Sequence, residues 1–256
     1  MTEFEQEVNN RIKENKKNKE LVKSAKSFLA NSIIPKYSYN FSWLGRPIIQ
    51  YPQDIVAIQE IIWSVKPDLI IETGIAHGGS IILSASMLAM LDLADAIEKN
   101  ELITPANSER KVLGIDIDIR EHNKIAIEKH PMFSRIEMIE GSSVDQKTIH
   151  KVHDFARNYK NILVLLDSNH TYEHVYEELK AYAPLVTKGS YCIVLDTIIE
   201  DVPSSTFPDR PWGPGNNPKT AVHKYLKENS SFVIDEEIEN KLLITVCPDG
   251  YLKKIS

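Results

Sequence analysis

Residues 68–80 read DLIIETGIAHGGS. Three apolar residues, Leu69, Ile70 and Ile71, lead to Glu72; a turn carrying Gly74, Gly78 and Gly79 then opens into an apolar run of helical length, 81–90. That pattern is strand, tight turn, helix. Glycines at such a turn let the backbone approach a bound group, and the helix start beyond offers unpaired N–H groups to an anionic part of a ligand. Any βαβ crossover uses small residues there, so the turn by itself names no ligand. Its spacing, E-x-G-x-x-x-G-G, departs from G-x-G-x-x-G and turns the reading away from nicotinamide and flavin enzymes.

Working outward, a helix is expected over 54–65, and strands over 111–116, 135–140, 162–166 and 189–195. Helices over 121–129, 145–158 and 171–183 separate them. Strands alternating with helices imply a mainly parallel, doubly wound α/β sheet covered on both faces. The segment 94–110 is polar, contains Pro105 and reads as an irregular excursion or a short helix plus loop. Beyond 196 the order changes. A loop over 197–217, rich in proline, has the length of an active-site lid. A helix at 219–228 follows, then short strands at 231–234 and 242–247 separated by an acidic turn, a hairpin-like antiparallel finish. At the other end, residues 1–32 have the apolar spacing of a helix, and 37–54 are irregular, aromatic and proline-containing. The division expected is an N-terminal extension over 1–55 and one domain over 56–256.

Composition describes an ordinary globule: 256 residues, 42% hydrophobic, 26% charged, net charge −6. That charge argues against a nucleic-acid partner. No apolar run reaches the roughly 20 residues of a bilayer span, and the N-terminus lacks a signal-peptide core, so the expectation is cytoplasmic. Cys192 and Cys247 form neither a disulfide framework nor a metal motif and read as buried thiols. The charged amphipathic N-terminal helix makes a homo-oligomer a further expectation.

Glu72, Asp116, Ser143, Asp167 and Asp196 all fall at the carboxyl ends of expected parallel strands. In an open α/β sheet those ends share one rim, where ligands bind. Asp116 is placed to accept hydrogen bonds from a ribose diol, with Asp118 as a competitor for that role. Asp167 and Asp196 end adjacent strands and would repel one another unless a proton or a cation is shared; hard oxygen ligands favour Mg²⁺, which can hold a hydroxyl and lower its pKa. His170 sits three residues past Asp167, within reach of the same rim, and can act as a base. His174 would share its helical face. A structural zinc site lacks a thiol or a well-spaced third imidazole.

Four segments, IETGIAHGGS, VLGIDIDIR, VLLDSNHTYEHVYEELKAYAPLVTKGSYCIVLDTI and RPWGPGNNPKTAV, resemble the cephalosporin hydroxylase / rhamnosyl O-methyltransferase family, within the class I S-adenosylmethionine-dependent methyltransferases. The resemblance implies a seven-stranded Rossmann-like sheet with a reversed last strand. It implies that Glu72, Gly74, Gly78 and Ser80 hold the methionine part of S-adenosylmethionine, Asp116 the ribose, and Ser143 the adenine. Asp167 and Asp196 would be metal ligands and His170 the base. The family places a second carboxylate beside the last aspartate; here Leu195 precedes Asp196 and Thr197 follows, making Thr197 a weak candidate ligand. The implied function is a Mg²⁺-dependent O-methyltransferase acting on a sugar hydroxyl or a small natural-product-like acceptor. Trp212, Tyr172 and the segment 37–43 would form the acceptor wall. Two alternatives remain: a non-catalytic cofactor-binding partner subunit, or an oxygenase built on His170, His174 and Asp167.

Overall fold

A computed structural model describes residues 1–102 and 108–256; Pro105 lies outside the described residues. Seven strands form the main sheet: β3 (Leu69–Thr73), β4 (Lys111–Asp116), β5 (Ile136–Glu140), β6 (Ile162–Leu166), β7 (Tyr191–Val194), β8 (Phe232–Ile234) and β9 (Tyr251–Lys254). Two short strands, β1 (Phe41–Trp43) and β2 (Arg46–Ile48), make a separate hairpin. The sheet order is β5-β4-β3-β6-β7-β9-β8, with β9 antiparallel to both neighbours. This is the doubly wound sheet with a reversed last strand that the sequence implies. The winding reverses between β3 and β6, whose ends lie side by side with Thr73 opposite Leu166. Ligands of open α/β sheets sit over that reversal.

The strands are apolar on both faces because helices cover both. Ile70, Val112, Leu163, Leu165 and Ile193 meet α2 (Lys19–Ile33), α3 (Pro52–Val65), α4 (Gly79–Lys99) and α5 (Glu121–Glu128). Their sequence neighbours, Ile71, Leu113, Val164 and Cys192, face the other way, against α6 (Gln146–Ala156), α7 (Tyr172–Tyr182) and α8 (Pro218–Glu228). Alternation along each strand thus feeds two cores. Each fully buried Ile or Leu contributes about 2 kcal/mol, so the strand ends sit on a stiff base.

Several boundaries differ from the sequence reading. The N-terminal helix is two helices, α1 (Glu3–Lys17) and α2, because Asn18 leaves helical geometry and caps the second through Leu21 N–H. The run after Gly79 continues as one 21-residue helix to Lys99, which absorbs the first part of the expected excursion. By length and composition alone α4 passes as a bilayer span, a test that a core helix also meets; half of its apolar window is buried within the protein. Residues 242–247 are not a strand. The acidic turn is a helix, α9 (Glu236–Leu242), Leu243 has φ +61°, and the last strand starts at Tyr251. This run is apolar because Leu242, Ile244, Val246 and Cys247 plug a core, and Val246 N–H is spent on buried Asp54 in α3 rather than on a sheet. A short apolar run does not by itself distinguish a strand from other buried backbone.

Candidate active site

The turn after β3 is fixed from three sides. Gly74 adopts φ +91°, and a Cβ there would stand 2.1 Å from the Asp167 carbonyl oxygen, so only glycine lets β3 and β6 end in contact. Gly78 has φ +83° and starts α4. Asp116 Oδ2 accepts from the backbone N–H groups of Ile75 and Ala76, at 2.8 and 3.1 Å. Arg46, brought by the β1–β2 hairpin, donates to the His77 carbonyl and to Asn123 Oδ1, while Asn123 donates to the Ala76 carbonyl. Neither Arg46 nor Asn123 stands out in the sequence, since each reaches the turn from a distant segment. A Cβ at Gly79 would clash with the Pro47 carbonyl at 2.2 Å, which shows how closely the hairpin is laid over the turn.

Glu72 lies beneath the turn, 1% exposed, accepting from Ser84 Oγ at 3.3 Å. Burial pushes its carboxyl up to about 7, against the opposing hydrogen bonds of Ser80 and Ser84. Asp167 is also pushed well up, by burial first, then by the charges of Asp196, Glu72 and Glu178; an edge of the residue still meets the cleft, but its carboxyl lies deep. Among the described residues, no lysine or arginine charge relieves either group. Such a site is short of positive charge.

One oxygen of Asp167, one of Asp196 and a ring nitrogen of His170 lie within 4.8 Å of one another. Asp196 takes φ +56° at the end of β7, turning its carboxylate toward His170, whose Nε2 is 3.2 Å from Asp196 Oδ2. The Trp212 ring meets the His170 ring edge-on at 4.8 Å. Two carboxylates and an imidazole are a donor set for a divalent cation.

Thr197 does not join this cluster. The chain enters a tight turn at Asp196, and the fully buried Thr197 hydroxyl donates to the Pro248 carbonyl at 2.6 Å. His174 also stands apart: its Nε2 lies 3.0 Å from Ser143 Oγ and 3.1 Å from Ser168 Oγ. The arrangement of His170, His174 and Asp167 needed for an oxygenase is therefore not assembled. Asp118 is exposed and donates its N–H to Asp116 Oδ1; Asp116 itself lines a cleft of about 110 Å³ with Gly74, Ser143, Ser168 and His174.

On the other side of the cluster, His170 and Asp196 line a cavity of about 470 Å³. Its walls are Ile33, Lys36 and Tyr39 from the N-terminal segment and Phe207, Arg210 and Trp212 from the late loop. Trp212, expected to stand in the acceptor wall, lines this cavity. Tyr172 instead stacks on Tyr176, and Trp43 donates to Ser86 on α4, so neither reaches this wall. The late loop is tied down: Glu200 receives the Gly215 N–H at 2.7 Å, Asn216 receives the Tyr172 N–H, and Lys219 pairs with Asp201 at 2.6 Å. Gln50, which sequence reasoning missed, is 3% exposed, lines the space above the glycine turn beside Ser80 and Asp167, and has no partner for its Oε1 among the described residues.

Comparison with known proteins bears on this geometry. Residues 35–255 match the family model described as Rhamnosyl O-methyltransferase/CmcI. A Rhamnosyl O-methyltransferase of Mycobacterium bovis is 29% identical over 201 residues, covering 78% of this chain and 72% of the relative. That of Mycobacterium leprae is 26% identical over 213 residues, 82% of each. A CmcI structure solved with Mg and SAM superposes with a TM-score of 0.55 at 17% identity, covering 85% of this chain and 78% of that one, a likeness of fold.

Proposed function

This chain belongs to the Rhamnosyl O-methyltransferase/CmcI family, and on that premise we propose that it methylates a sugar hydroxyl with the help of Mg²⁺. It is an S-adenosylmethionine-dependent methyltransferase. The observation that carries the finer reading is the cluster of Asp167, His170 and Asp196, which stands between the glycine turn and the 470 Å³ cavity on one rim of the sheet.

The residues present fit both absent groups. Glu72, buried and uncompensated, lies beneath the turn, Gln50 lines the space above it where a cationic amino-acid tail would lie, and the Gly74–Ser80 turn leaves room for backbone contact. Asp116 and Ser143 line the cleft on the nucleoside side. Asp167 and Asp196 would hold the divalent cation, which when bound supplies Lewis-acid polarisation of the acceptor hydroxyl. S-adenosylmethionine supplies the methyl group. The protein's own part is orientation: Asp116 and the Arg46 clamp fix the turn, and Gly74 sets the closest approach of β3 to β6. His170, held by Asp196 and Trp212, receives the acceptor hydroxyl's proton. Trp212 and Tyr39 offer ring faces on which a sugar can stack, and the apolar Ile33 and Phe207 exclude water.

The test is transfer of a labelled methyl group to a panel of rhamnosides and other glycosides, with and without a chelator. Label in the sugar that is lost on chelation is the expected result. Label in the sugar that persists in chelator removes the metal from the reading, and bound S-adenosylmethionine with no labelled sugar removes the acceptor class.

A further inference from the structure

Ser143 at the nucleoside end of the cleft is backed by a chain of polar groups that the reaction described above does not use. Glu178 on α7 is fully buried, yet among the described residues only one of its carboxylate oxygens has a partner: Ser168 Oγ donates to Oε1 at 2.6 Å, and Oε2 is orphaned. His174 Nε2 lies 3.1 Å from Ser168 Oγ, 3.0 Å from Ser143 Oγ and 3.6 Å from Glu178 Oε1. Ser143 is 4% exposed, and its backbone carbonyl is held by the Tyr182 hydroxyl.

The directions of these bonds follow from what each group can donate. A hydroxyl has one proton, and Ser168 spends its own on Glu178. Toward His174, Ser168 can then only accept, so His174 Nε2 must carry hydrogen; a bare nitrogen there would set its lone pair against both the Ser168 oxygen and the carboxylate. With that hydrogen shared between Ser168 and Ser143, the Ser143 oxygen accepts from His174. Its own proton is then free for the cleft, which Ser143 lines with Asp116, Ile117 and Asn169.

We propose that Glu178, Ser168 and His174 are positioning residues that commit the Ser143 hydroxyl to donating into the cofactor cleft, so that it selects a base bearing an acceptor ring nitrogen at that edge. The proposal rests on the methyltransferase reading of the cleft and adds to it a source of base selectivity. Buried polar groups left half-satisfied are costly, which is why an orphaned carboxylate oxygen beneath the cleft calls for a role.

The test compares binding of S-adenosylhomocysteine with its 1-deaza, 3-deaza and 7-deaza analogues, each of which replaces one ring nitrogen by C–H. One analogue is expected to bind the wild-type protein about tenfold more weakly, the scale of one lost hydrogen bond. Ser143→Ala should bind that analogue and the parent equally. In parallel, ¹⁵N spectra of the histidine-labelled protein should show His174 with hydrogen on Nε2, and Ser168→Ala should shift that signal in the folded protein. Equal binding of all analogues by the wild type, a penalty that survives in Ser143→Ala, or a His174 Nε2 without hydrogen overturns the proposal and leaves the methyltransferase reading standing. Failure of folded wild-type protein to bind S-adenosylhomocysteine at all overturns both.

Discussion

The two sides of the cleft are built on different plans. The side proposed for the cofactor comes from strand ends and one turn, positions set by the sheet's topology and locked by backbone hydrogen bonds to Asp116, Arg46 and Asn123. The side proposed for the acceptor is made where the segment around Ile33–Tyr39 meets the late loop around Phe207–Trp212, parts far apart in sequence with little regular structure. Asp167, His170 and Asp196 stand between them. A fold can keep its cofactor half constant while the acceptor half is rebuilt from loops, because loops tolerate change that strand ends do not. Substitutions on the two sides should therefore fail differently.

The largest effect is expected at the boundary. Asp167→Asn removes a carboxylate from the proposed cation-binding pair and should lower kcat on the order of 10³-fold, while S-adenosylhomocysteine still binds by calorimetry; loss of both together would mean that Asp167 belongs to the cofactor side. On the cofactor side, Gly74→Ala puts a methyl group 2.1 Å from the Asp167 carbonyl at a φ of +91°. It should destabilise by about 3 kcal/mol in urea unfolding and weaken cofactor binding.

Glu72 separates stability from binding. Burial holds its proton up to about pH 7 in the folded protein against 4.5 in the unfolded chain. That contribution to stability is complete below about pH 4.5 and is lost as pH rises through about 7, because the unfolded state gives up the proton first. Glu72→Gln should remove this slope, on the order of 2–3 kcal/mol, when urea unfolding is compared at pH 4.5 and 8. Asp54, pushed by burial to about 6, leaves a residual slope of the same sign at lower pH. In the wild type, cofactor binding should strengthen as pH rises through 7 and the carboxylate forms to meet a cation. The smallest effect belongs to the acceptor side: Trp212→Ala should raise the acceptor KM about tenfold and leave the affinity for S-adenosylhomocysteine unchanged. A change in both would merge the two sides into one.

The same division explains what could be read from the chain. The glycine turn, Asp116, Asp167 and Asp196 were legible because strand, turn and helix leave short-range marks, and because parallel strands must present their ends on one rim. Arg46, Asn123 and Gln50 were not, since each acts through an approach between distant segments that no local spacing records. Thr197 shows the reverse failure: the right chemistry at the right position is turned inward by the left-handed residue before it. The run 242–247 looks like a strand because core plugs and strands share an apolar pattern, while its Val246 N–H goes to Asp54, almost two hundred residues earlier.

Crystals soaked with S-adenosylhomocysteine and Mn²⁺ test the arrangement most directly. The expected result is the ligand lying from the Glu72–Ser80 turn past Asp116 to Ser143, with an anomalous peak between Asp167 and Asp196 at the floor of the acceptor cavity. Ordered ligand with no peak there, or an ion bound elsewhere, would contradict it.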